Sequence, residues 1–232
     1  MEVEAVHWQT INQFQDLVSG KISILYGVEK PMTIGDAEVL LSQDELQKAD
    51  RMIASQRLNW MTAHATLRFF CGLLLQKSPL EVDFLLSENG KPYIKNSPFH
   101  FNLSHTDHSF AIAFSSSLVG IDLESMSASF ELKDVVEYAF SAEEKKYCEN
   151  GADRARFFAV WTAKEALSKA IGSGLPDQMK TFSVIGSGLE VPHLSGFVRK
   201  TFLCPNNEIA TLVNHSDSAI IQFLQFDKNF PF

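Results

Sequence analysis

Apolar and polar positions along this chain fall into two rhythms, and both recur. Ser42…Glu45 is a capping-box pattern that opens a helix, and a second helical stretch follows at about 55–76. The same order returns with Ser141…Glu144 and a helical stretch at about 153–171 that ends at a glycine. Short apolar runs after each helical pair read as strands: 81–86, 109–114 and 118–123, then 181–185, 195–203 and 219–226. Single residues repeat as well. Ser42, Glu45 and Arg57 return 99 positions later as Ser141, Glu144 and Arg156. Thr62, Ala63, Leu67, Gly72 and Leu75 return 100 positions later as Thr162, Ala163, Leu167, Gly172 and Leu175. One inserted loop residue accounts for the change of offset. The pattern predicts an α+β protein of two similar subdomains, 1–117 and 118–232, each with helices packed on a mostly antiparallel sheet. A ligand cleft is expected between them.

Composition narrows the setting. The chain has 232 residues, 45% of them hydrophobic and 21% charged, as in a soluble globular protein with a substantial core. No apolar run is long enough to span a membrane. The acidic start Met1-Glu2-Val3-Glu4 lacks the order of a signal peptide. Cys71, Cys148 and Cys204 are scattered and show no zinc spacing, which points to a reducing, cytoplasmic setting. A net charge of −8 argues against broad nucleic-acid binding but leaves room for a small anion in a local basic pocket.

Two segments carry the candidate chemistry. In Val119-Gly120-Ile121-Asp122-Leu123-Glu124, the acids stand at i and i+2 of a strand and share one face. In Trp161-Thr162-Ala163-Lys164-Glu165-Ala166-Leu167-Ser168-Lys169, positions 161, 165 and 169 form one stripe of a helix. If strand and helix pack together, Asp122, Glu124 and Glu165 converge with Lys169, giving oxygen ligands for a hard divalent cation and an ammonium for a phosphate. Glu165 and Lys164 fall where the first half has Ala65 and His64, so these groups belong to the second half alone. Gly90-Lys91-Pro92 reads as a turn, and Asn102-Leu103-Ser104-His105 as a strand end with donors suited to an anion. Gly172-Ser173-Gly174-Leu175 reads as a helix stop and lacks the order of a P-loop.

In their order and spacing, Gly90-Lys91-Pro92, Phe101-Asn102-Leu103-Ser104-His105, Val119–Glu124 and Trp161–Lys169 with Gly172–Leu175 resemble the 4′-phosphopantetheinyl transferase superfamily, specifically its Sfp-type members. The resemblance implies a pseudo-two-fold monomer that moves the phosphopantetheine arm of coenzyme A onto a serine of an apo acyl or peptidyl carrier protein. It implies Asp122, Glu124 and Glu165 as ligands of Mg²⁺, or of Mn²⁺ in its place. Glu165 is also implied as the base toward the carrier serine, and Lys169 as the lysine on the diphosphate. Lys91, Ser104 and His105 match residues that hold the nucleotide, the last two toward its 3′-phosphate, and Lys48 matches a further phosphate contact. The pattern departs at His64, where many relatives carry arginine. A Mg²⁺-dependent phosphohydrolase acting on a nucleotide-like substrate could use the same three acids, but would leave Gly-Lys-Pro and Asn-Leu-Ser-His unexplained. The stretch 130–156, with Phe130, Lys133, Lys145, Lys146, Arg154 and Arg156, is the candidate carrier-binding patch.

Overall fold

A computed structural model of the chain describes residues 1–11, 21–28, 32–127, 132–172, 176–186, 195–215 and 219–226. Phe130 of the candidate patch and Ser173, Gly174 and Leu175 of the helix stop lie outside the described residues. The elements are β1 (Val3–Glu4), β2 (Gln9–Ile11), β3 (Lys21–Val28), α1 (Ile34–Leu40), α2 (Gln43–Asp50), α3 (Ala54–Leu75), β4 (Leu85–Leu86), β5 (Pro92–Tyr93), β6 (His100–His105), β7 (Ser109–Ser115), β8 (Val119–Ser125), α4 (Leu132–Ala139), α5 (Ala142–Tyr147), α6 (Arg154–Ile171), β9 (Val198–Cys204), β10 (Glu208–Asn214) and β11 (Ile220–Phe226). The protein is α+β. Among the described residues no helix is long and apolar enough to cross a membrane.

The chain forms two compact units, and neither is continuous in sequence. One joins Met1–Val6 to Ser117–Ala219, and the other joins His7–Ser116 to Ile220–Phe232. The termini are assigned by strand pairing. β1 lies parallel to β9, with Val3 opposite Thr201. β11 lies parallel to β3, with Phe223 opposite Ile24 and Leu224 opposite Leu25. Leu224 is buried in the same apolar cluster as Leu25, Phe70 and Phe110, so the last strand completes the core of the unit that contains residues 7–116.

In that N-terminal unit the described strands run β2-β11-β3-β7-β6. The β2–β11 and β11–β3 pairings are parallel, and the β3–β7 and β7–β6 pairings antiparallel. β7 is buried along its whole length, which suits a central strand. One face of α3 meets this sheet through Ala63, Leu67 and Phe70, and Trp60, Met61 and Ala65 pack with Ala37, Leu41 and Ala49 of the α1–α2 region. In the C-terminal unit the order is β1-β9-β10-β8, with α6 on the sheet through Ala159, Ala163, Ala166 and Ala170.

The two apolar runs that look like strands at 81–86 and 181–185 do not join either main sheet. Each follows a long helix, and each begins as a short 3₁₀ turn, Pro79–Glu81 in one unit and Pro176–Thr181 in the other. Within 81–86 only Leu85–Leu86 pair, in a small hairpin with Pro92–Tyr93. The reason lies in where their carbonyls go. Arg68 of α3 donates to the Pro79 and Val82 carbonyls at 2.8 and 2.9 Å, and its Nε pairs with Glu45 at 2.5 Å. Lys164 of α6 donates to the Met179 carbonyl and, at 2.9 Å, to that of Phe182, and pairs with Glu144 at 2.9 Å. Glu45 and Glu144 are the capping-box acids, each also accepting from the backbone N–H of its N-cap serine, at 2.9 and 2.7 Å. Both units thus contain the same lock: a capping acid, a buried cation on the next helix, and two carbonyls 100 positions apart between the copies. The cation itself has moved by a turn, from the Lys164 position to Arg68, and a longer side chain reaches the equivalent carbonyls.

Candidate functional site

Close contact between β8 and α6 brings the acidic strand and the helical stripe together. Gly120 permits it. A Cβ at this position would sit 2.1 Å from the Ala166 carbonyl oxygen and 2.4 Å from the Ala170 amide nitrogen, so only glycine lets the helix backbone lie against the strand. A glycine inside an apolar strand is a signal for such an approach, and the sequence reading did not use it. Two side-chain bonds then tie the elements. Lys169 Nζ bonds Asp122 Oδ1 at 2.7 Å, and Trp161 Nε1 donates to Glu124 Oε1 at 3.0 Å. Asp122 is buried, while Glu124 and Glu165 are half-buried.

The electrostatics follow from crowding. Burial pushes the Glu124 carboxyl up to about 7, the Asp122 charge pushes the same way, and the Trp161 hydrogen bond and Lys169 oppose it. Glu165 is raised by burial and by Asp122, with Lys169 opposing. Asp122, Glu124, Glu165 and Lys169 therefore form one interacting cluster, as their spacing predicts. Among the described residues no three acidic, histidine or cysteine side chains are gathered tightly enough to cage a metal ion as they stand.

The other predicted residues lie in the N-terminal unit, in two places. Ser104 and His105 end β6, Ser104 buried and His105 exposed. Near His105 is His64, whose ring stacks on Trp60 at 4.0 Å, and Lys48 Nζ lies 5.2 Å from the Trp60 ring centre. His64, set aside in the sequence, thus stands among Lys48, His105 and Arg68, and the helix does carry an arginine, four residues later. Lys91 sits elsewhere. Gly90, at φ +80°, forms the turn before it, and the Lys91 amide donates to Ser87 Oγ at 3.0 Å. Burial lowers the Lys91 ammonium to about 8. Its charge acts on His100, at the start of β6, about 17 Å along the strand from His105.

Burial first, then the charges of His105, Lys48 and Arg68, hold the His64 imidazole down at about 3. An unfolded chain takes up this proton near 6.5 and the folded one only near 3, so His64 costs stability as pH falls through that window and costs none above it. We expect His64→Phe, which keeps a ring on Trp60, to lose less stability than the parent between pH 7 and 4.5. Urea midpoints at the two pH values test this, and equal losses would refute it.

The candidate carrier patch is less basic than its composition. Lys145 pairs with Glu137 at 2.6 Å. Arg154 donates twice to the Met126 carbonyl, at 3.1 and 3.0 Å, and lies over Phe158. Arg156 pairs with Asp153 at 3.3 Å and lies over Tyr147. These three cations are engaged within the unit, although Arg154 and Arg156 are exposed along with Lys133 and Lys146.

Comparison with known proteins finds similarity for the segment that carries this geometry. Residues 118–223, which contain β8 and α6, match the profile of the 4′-phosphopantetheinyl transferase superfamily. A 4′-phosphopantetheinyl transferase of Bacillus subtilis is 28% identical over 174 residues, 69% of this chain and 75% of the relative. The 4′-phosphopantetheinyl transferase HetI of a Nostoc species is 32% identical over 60% of this chain and 63% of its own length. The 4′-phosphopantetheinyl transferase Sfp of Bacillus subtilis is 26% identical over 59% of this chain and 65% of its own length. The chain thus spans under two thirds of the latter two relatives. The acidic strand and the helix that carries Trp161, Glu165 and Lys169 thus lie packed together within the segment that is similar to the 4′-phosphopantetheinyl transferase superfamily.

Proposed function

We propose that this protein transfers the 4′-phosphopantetheine group of coenzyme A to a serine of an apo acyl or peptidyl carrier protein, releasing adenosine 3′,5′-bisphosphate. The observation that carries the reading is the cluster of Asp122, Glu124, Glu165 and Lys169 within the segment that matches the family. Its donor set suits Mg²⁺, or Mn²⁺ in its place: three carboxylates provide hard oxygen ligands, and their mutual repulsion, with one lysine to offset it, leaves the cluster short of positive charge. Asp122, Glu124 and Glu165 would hold the ion, which when bound neutralises charge on the diphosphate oxygens.

The chain's own groups divide the remaining work. Glu165, whose carboxylate is made more basic by burial and by Asp122, accepts the proton of the carrier serine hydroxyl, directly or through a water. Lys169 meets the negative charge that builds on the departing bisphosphate. Ser104 Oγ and the His105 ring donate to the 3′-phosphate, Lys48 adds a further phosphate contact, and the half-buried Lys91 ammonium supports the nucleotide. The test is intact-mass measurement of several apo carrier proteins incubated with this protein, coenzyme A and Mg²⁺. A pantetheine-phosphate mass gain on at least one carrier is expected, and its absence on all of them with the protein folded would overturn the reading.

A further inference from the structure

We infer that Trp161 is a positioning residue for the metal site: its indole N–H fixes one oxygen of Glu124 so that the carboxylate is held in one orientation for a divalent cation. The inference rests on the assignment of Glu124 as a metal ligand proposed above.

The geometry of β8 and α6 carries it. Gly120 lies against Ala166 and Ala170, Asp122 bonds Lys169, and Glu124 bonds Trp161. The strand residue number rises as the helix number falls, so the two segments run in opposite directions. Trp161 and Lys169 are eight residues apart, about 12 Å along the helix. Asp122 and Glu124 are about 7 Å apart along the strand. The two side-chain bonds therefore bracket Glu165, which sits midway between them on the same stripe. An indole has a single N–H and no acceptor, and here that donor is committed to Glu124 Oε1 at 3.0 Å. The ring is fixed in turn, because it packs against the apolar cluster formed by α4, α6 and the sheet. A glutamate at the end of a strand has three rotatable bonds. A rigid donor on one oxygen removes most of that freedom before an ion arrives, which is how outer-shell donors raise affinity at metal sites. A tryptophan that served only as packing would need its ring and not its N–H.

The test separates ring from N–H. Trp161→Phe keeps an aromatic ring on the cluster and removes the donor. Mn²⁺ is titrated into the full chain without coenzyme A, and free ion is read by electron paramagnetic resonance. We expect Mn²⁺ to bind the parent and to bind Trp161→Phe about 10-fold more weakly. Equal Mn²⁺ affinity in parent and variant would overturn the role of Trp161 while leaving the metal assignment standing. Failure of the parent to bind Mn²⁺ would overturn both. A second measurement leaves Trp161 itself in place. The chain has three tryptophans, so Trp8→Phe/Trp60→Phe leaves Trp161 as the sole indole. Mg²⁺, which does not quench, should shift its emission as the ion joins the carboxylate that the indole N–H holds. Unchanged emission at Mg²⁺ concentrations that displace bound Mn²⁺ would also overturn the proposal.

Discussion

Glu165→Gln should reduce phosphopantetheine transfer at least 100-fold and leave the protein no less stable than the parent. A general base contributes about 10²–10⁴-fold to a proton-transfer step, and an amide of the same shape cannot accept the proton. The stability half of the prediction comes from the crowding around β8 and α6. Burial and the Asp122 charge both disfavour the ionised Glu165, so replacing it with a neutral side chain removes repulsion from the folded state. A residue that served the fold would behave the other way, losing stability along with activity. Initial rates by intact mass at saturating coenzyme A, together with urea midpoints, decide the matter. A rate within a few-fold of the parent would remove Glu165 from its assigned role. A rate loss matched by a fall in stability would mean that the side chain holds the site together and does not do its chemistry.

The parts of this site that were legible in the sequence are those set by local periodicity. A strand alternates faces, so Asp122 and Glu124 had to point the same way. A helix repeats every three to four residues, so Trp161, Glu165 and Lys169 had to share a stripe. The long helices α3 and α6 begin and end within about a residue of their expected bounds; Asp153 caps the start of α6 and left-handed Gly172 ends it, whereas α3 starts at Ile53 without a side-chain cap and ends at left-handed Gln76. What the sequence concealed depends on partners distant along the chain. The run 219–226 is a strand as expected, but nothing within it says that it pairs with β3, some 200 residues earlier. The runs 81–86 and 181–185 have strand-like composition, yet their backbone groups are claimed by Arg68 and by Lys164 with Glu144. His64 was compared with its counterpart at a fixed offset, which hid the fact that the cation of that half is Arg68. Alignment by position finds the same residue, whereas the fold had conserved the same bond.

Lys164→Met should be the most destabilising single change at this site, by about 3–5 kcal/mol, with little direct effect on chemistry in whatever protein remains folded. Lys164 immediately precedes Glu165, yet its side chain points the other way, fully buried against Glu144. Its ammonium is fully used, with Glu144, the Met179 carbonyl and the Phe182 carbonyl each taking a bond. Methionine fills similar volume but leaves three buried acceptors, one of them a carboxylate with no exposure to water. Glu144 also accepts from the amides of Ser141 and Val184, so its charge holds the start of α5 and the segment after α6 as well. The matching lock of the N-terminal unit gives the internal control. There Glu45 keeps 17% of its side-chain surface in water, so a carboxylate orphaned by Arg68→Met can still be partly solvated. Arg68→Met should therefore cost less than Lys164→Met. Adding Glu144→Gln to Lys164→Met should recover part of the loss, since it removes the stranded charge while an amide oxygen can still accept from the backbone. Urea unfolding of the three variants measures all of this. If Lys164→Met proved as stable as the parent, the shared lock would not be what holds the segments after α3 and α6 in place.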